Sequence, residues 1–143
     1  MAVVGAISGA GELVQLNMCP KFISKEVFIE FMKALKDQPK PCTLLVDNLS
    51  MHKMKEVRAA ADEFGLQLMY NAAYSSELNP IERLWGKAKE AFRQNIIDEE
   101  NYKDQKLITA YAERSIRSVS SGILEKHVRR CVYEMKEKLE LLN

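Results

Sequence analysis

A short apolar run that ends on an acid, Thr43-Leu44-Leu45-Val46 followed by Asp47 and Asn48, limits what this chain can fold into. Such a run is too short for a buried helix and reads as a buried strand, which delivers Asp47 at its C-terminal end. Further on, Asn79-Pro80-Ile81-Glu82 opens an amphipathic segment. Proline suits the first turn of a helix because its missing N–H has no partner there. The helix dipole favours a carboxylate at Glu82, so that residue alone reads as an ordinary helix-start acid. Together, a carboxylate at a strand end and another in a helix's first turn can hold a divalent cation between them.

The rest of the chain supports one domain of mixed structure. At 143 residues, with 47% hydrophobic and 29% charged residues, it is long enough for a real core and has an ordinary globular composition. No apolar run approaches the roughly 20 residues that span a bilayer, so no membrane association is expected. The first residues lack the basic start of a secretory signal, which points to an intracellular protein, nuclear in a eukaryote and cytoplasmic otherwise. Cys19, Cys42 and Cys131 form no C-x-x-C pair and read as reduced, mostly buried thiols. A formal net charge of +1 does not announce a nucleic-acid binder, so any contact with DNA must come from local patches.

In chain order, residues 2–8, the turn Gly9-Ala10-Gly11 and the alternating 12–16 read as a β-hairpin. The glycines do not make a phosphate cradle, since no Lys-Ser/Thr and no helix follow. Ser24 caps a helix predicted over 24–37, with Val27, Phe28, Phe31, Met32 and Leu35 at helical spacing and a stop at Gln38-Pro39-Lys40-Pro41. After the strand over 43–47 comes a helix over 51–64, stopped by Gly65, then a short strand over 66–70. A loop over 71–79 leads to the Pro80 helix. Asp98-Glu99-Glu100-Asn101 is a polar connection, Leu107, Tyr111, Ser115 and Ile116 mark another helix, and a last helix is predicted over 123–142. The division is a core over 1–95 and a helical extension over 96–143 packed on it.

The string Asp47-Asn48, His52-Lys53, Tyr74-Ser75-Ser76-Glu77-Leu78-Asn79-Pro80-Ile81-Glu82 and Trp85 resembles the catalytic core of DDE transposases of the mariner superfamily and their bacterial insertion-sequence relatives. The likeness covers roughly residues 2–93, and the 34 residues between Asp47 and Glu82 match the family's second-to-third acid spacing. Asp47 matches the second metal-binding acid and Glu82 the third. Two departures stand out: Ser76 occupies a position where the family usually has proline, and the first acid has no counterpart. In the family that acid lies on a strand before the segment resembling Val3-Val4-Gly5-Ala6-Ile7-Ser8.

The resemblance implies an α/β, RNase H-like mixed sheet lacking its first, central strand, followed by C-terminal helices. Either the two half-sheets pair directly or something else fills the place of that strand. It also implies a remnant of a two-metal phosphodiester site in which Asp47 and Glu82 are the catalytic and metal-binding positions. The family joins three acids because two close cations need bridging charge, so an isolated chain with two is expected to be inactive and to require no cofactor, with Mg2+ relevant only to a retained activity. Asp62 and Glu63 belong at the far end of a helix and are poor substitutes; Glu77 is near only in sequence.

The expected role is therefore that of an N-terminally truncated, domesticated transposase serving as an accessory subunit of a nuclear DNA-acting or DNA-modifying complex. The alternative is an endonuclease fragment completed in trans by a chain carrying the first Asp. The basic candidates for DNA contact are His52, Lys53, Arg83, Lys87, Arg93, Arg129 and Arg130. His52 reads equally as a phosphate contact or as a packing residue, and Trp85 as a core anchor. A charged face with Lys126, Lys136 and Lys138 is ordinarily just solvated. Leu124, Val128, Val132, Met135 and Leu139 form an apolar stripe suited to a protein partner wherever the core does not consume it.

Overall fold

The structure, a computed structural model, describes residues 1–96 and 103–141. The polar connection Asp98 to Asn101, and Leu142 at the end of the last helix, lie outside the described residues. The hairpin pairs β1, Ala2–Ile7, antiparallel with β2, Leu13–Cys19. The second strand runs three residues beyond its predicted end because the register continues to Ala2 opposite Cys19. Gly11 takes a left-handed φ of 77° at the turn.

Helix α1, Lys25–Lys33, is capped by Ser24, whose side chain accepts from the Val27 N–H. It ends short of residue 37. Residues 34–38 tighten into three-residue turns, with Leu35 donating to Met32, Lys36 to Lys33 and Gln38 to Leu35, as the chain approaches prolines that disfavour helical geometry before them. Strand β3, Cys42–Val46, runs parallel to β4, Leu66–Tyr70.

Between them the predicted single helix is two elements. Ser50–Lys53 forms a 3₁₀ turn, Met54 is extended, and α2 occupies Lys55–Glu63. At this break the Tyr70 hydroxyl donates at 3.0 Å to the His52 carbonyl, tying the 3₁₀ turn to β4. A second 3₁₀ turn, Ser76–Leu78, precedes α3, Ile81–Asn95. Helix α4, Gln105–Arg117, is capped by Asp104, and α5 spans Ser121–Glu140, starting two residues earlier than its periodicity indicates.

The layers follow from strand alternation. Val4 and Ala6 join one core with Phe28, Phe31 and Met32 of α1 and with Val57 and Ala61 of α2. Val3 and Ile7, pointing the other way, pack on a second core of Leu84 and Ala88 from α3, Ile116 from α4 and Leu124 from α5. The arrangement is a mixed α/β fold with helices on both faces and C-terminal helices added, an RNase H-like partial fold. The β1–β2 and β3–β4 pairs are two separate two-stranded sheets. The half-sheets therefore do not close on each other.

Candidate functional site

A cleft of about 560 Å³ lies between the half-sheets. Strands β1 and β3 line it along with Phe28 and Phe31 of α1, and Trp85 of α3 and Val132 of α5 also reach it. Asp47 and Glu82 line it too, so the two predicted acids share one opening.

Each acid is placed by its element. Asp47 follows the last residue of β3, and its side chain is 61% exposed. Its Oδ1 accepts from the Leu49 N–H at 3.1 Å and lies 2.8 Å from His52 Nδ1, within donating distance. His52 is buried, and its ring sits 4.4 Å from that of Phe28. It packs on Phe28 and lies against Asp47, the packing half of what its sequence position suggests. Glu82 stands exposed in the first turn of α3, and its carboxylate makes no hydrogen bond or ion pair among the described residues.

Three asparagines hold this opening, roles the sequence did not announce. The buried Asn71 donates its N–H to Val46 O at 2.8 Å and its Nδ2 to Ser75 O at 2.6 Å, while its Oδ1 accepts from the Ala72 N–H. Asn48 Nδ2 donates to the Asn71 carbonyl. Asn79 Oδ1 accepts from the Ile81 N–H at 3.4 Å, fixing the start of the helix that carries Glu82. The signal available was their place between a strand end and a helix start, where side-chain amides satisfy loose backbone groups.

The carboxylate pair offers hard oxygen donors of the kind Mg2+ takes, which typically uses one or two carboxylates together with substrate phosphate. Among the described residues no group of three or more His, Cys, Asp or Glu comes together as a metal site. Asp47 and Glu82 are the two predicted acids that this cleft brings to one lining. Glu77 is drawn elsewhere, its Oε1 lying 3.7 Å from Lys138 Nζ. Asp62 sits in the last turn of α2, and Glu63 is its last residue.

The model of the DDE superfamily endonuclease family matches residues 1–107, three-quarters of the sequence. This chain belongs to the DDE endonuclease superfamily. The match extends past α3 into the first residues of α4. Among curated proteins, none matches.

The remaining predicted residues of this DDE domain separate by their partners. Lys87 is bound to Glu90, Arg129 to Glu125 and Arg130 to Glu134, each at 2.7 Å. Arg83 and Arg93 on α3 are exposed and make no ion pair among the described residues. Lys53 is exposed, with its amino group 5.8 Å from the centre of the Tyr70 ring. On α5, Leu124 is buried in the second core and is unavailable to a partner. Val128, Val132 and Met135 line the cleft, and Leu139 is exposed. Trp85 is half-buried on the second core, as its position predicts. The cysteines are free, with Cys131 buried and its thiol pushed up by burial, and with Cys19 and Cys42 half-buried. No helix among the described residues is long and apolar enough to cross a membrane.

Proposed function

We propose that this DDE domain is a transposase-derived, domesticated subunit that does not cut DNA as an isolated chain, and that it serves a nuclear DNA-acting complex through a protein partner. The observation behind the reading is the cleft itself: Asp47 and Glu82 stand at an opening between two half-sheets that do not pair. Two carboxylates hold at most one divalent cation against a phosphate, whereas in-line phosphodiester cleavage by this chemistry stabilises both the attacking and the leaving oxygen. No cofactor is required for the role, and DNA is held electrostatically through Arg83, Arg93 and Lys53. The test is incubation of the 143-residue chain with nicked, hairpin and duplex DNA in Mg2+ or Mn2+. No cleavage is expected. Cleavage that disappears in Asp47→Ala and Glu82→Ala overturns the reading.

A second reading draws on the same opening. A separate polypeptide supplying one strand and one acid would place a third carboxylate beside the two present and restore an endonuclease. Cleavage that appears only when such a polypeptide is added, and that needs Asp47, selects it.

A further inference from the structure

We propose that the cleft binds an extended, apolar segment of a partner protein as a strand between β1 and β3, with a lysine or arginine of that segment seated against Asp47 and Glu82. This rests on the partner-dependent reading above and specifies the partner's chemistry.

The strand form follows from the edges. Asn71 donates to the Val46 carbonyl, continuing the ladder of β3 with β4, so the polar groups of Val46 point to β4. In a parallel strand alternate residues turn their N–H and C=O to opposite sides, which directs those of Thr43 and Leu45 into the cleft. Across it stands β1, whose only strand partner among the described residues is β2. An extended segment between them gains main-chain hydrogen bonds on both sides, the mode of recognition by strand addition.

The apolar character follows from the two faces. Phe28 and Phe31 of the first core lie on one side and Trp85, on the second core, on the other, with Val132 also lining the cleft. A strand covered on both faces is a continuous apolar run and not an alternating one. The basic residue follows from charge. Glu82 has no cationic partner among the described residues, and Asp47 has only His52. An acid arriving there without a cation is repelled by both carboxylates, while a lysine or arginine complements them.

The experiment uses the full 143-residue chain and fluorescein-labelled peptides with a core of five valines and isoleucines, a soluble Gly-Ser tail, and a lysine at one end or the other. Matched peptides carry aspartate in place of lysine. Fluorescence anisotropy in EDTA is expected to show saturable binding of a lysine peptide and at least tenfold weaker binding of both aspartate peptides. The doubly substituted Asp47→Asn, Glu82→Gln chain is expected to lose that preference, and Leu45→Pro, which removes a cleft-facing N–H, to weaken both. Wild-type protein that binds no peptide, or binds lysine and aspartate forms equally, overturns the proposal whether or not the variants fold. Tighter binding of an aspartate peptide in Mg2+ than of any lysine peptide also overturns it and favours the acid-completed nuclease. Failure here with a chain that remains unable to cut DNA leaves the accessory reading standing, because the two assays have separate readouts.

Discussion

Single residues decide several features that the apolar pattern only outlines. Gly11 is the sharpest case: with φ at 77°, an added Cβ would fall 2.4 Å from the Glu125 nitrogen and 2.5 Å from the Ser121 carbonyl oxygen. The hairpin turn is pressed against the first turn of α5, so the position needs both a left-handed backbone and no side chain. Gly11→Ala is expected to cost about 1–2 kcal/mol for the left-handed conformation and about 1–3 kcal/mol more for overpacking, read as a lowered denaturation midpoint. Gly9, with nothing within 4 Å of its would-be Cβ, is the control, and Gly9→Ala should change little. Tyr70→Phe removes the bond to the His52 carbonyl and is expected to cost about 0.5–1.5 kcal/mol. The same urea titration checks it. Both effects were invisible in sequence. Gly11 read only as a turn residue, and the run from Met51 to Phe64 contains helix formers throughout, so nothing local marked the break at Met54 or the hydroxyl that a different strand brings to the His52 carbonyl.

At the scale of elements, legibility followed whether a signal was local. The β3 strand, the α3 start and the hairpin were readable because a short apolar run ending on an acid, Pro80, and the Gly9-Ala10-Gly11 turn with its alternating second strand act within a few residues. The use of α5 was not. Leu124 and Val132 belong to one apolar stripe, yet Leu124 is 1% exposed and Val132 44% exposed, because the helix meets the second core over its first turns and the cleft further along. The same distinction sorts the cations. Arg129 and Arg130 are held by glutamates of their own helix, whereas Arg83 and Arg93 are not paired among the described residues. DNA binding is expected to fall steeply with salt, and Arg83→Ala or Arg93→Ala should each lower the slope of log affinity against log salt by roughly one, with smaller changes for Arg129→Ala and Arg130→Ala. Anisotropy on a duplex across a salt series measures it; equal slopes for all four variants would contradict the assignment. The α5 helix also carries His127, which burial, Arg83 and Arg130 hold below its ordinary value while Glu134 opposes them. The unfolded chain therefore takes up its proton first as pH falls through about 6.5. Stability is lost in that window and regained as pH rises through it. His127→Gln should flatten the melting temperature between pH 5 and 7.5 relative to wild type.

For the whole molecule, the decisive feature is a sheet in two halves. The two apolar cores lie on opposite faces, one built on α1 and α2 and the other on α3, α4 and α5. Strand β1 contributes to both cores, while β3 and β4 lend side chains only to the first. With the half-sheets unpaired, the cleft between them stays lined by the backbone edges of β1 and β3 and by apolar side chains. Closing it dry would leave Thr43 and Leu45 with unbonded polar groups, at about 1–3 kcal/mol for each one buried. Several such groups would consume much of a domain stability of about 5–15 kcal/mol, so water in the cleft is the cheaper state. Water there, however, keeps the apolar lining from contributing burial energy to either half. The isolated chain is thus expected to bind a hydrophobic dye such as ANS and to melt broadly, with the β1–β2 hairpin and α3–α5 separating from α1, α2, β3 and β4 over different temperatures. Calorimetry decides it through the ratio of van't Hoff to calorimetric enthalpy, which should fall below one. A sharp two-state transition with no dye binding would mean that the helices already couple the halves and that the fold is complete without an added strand.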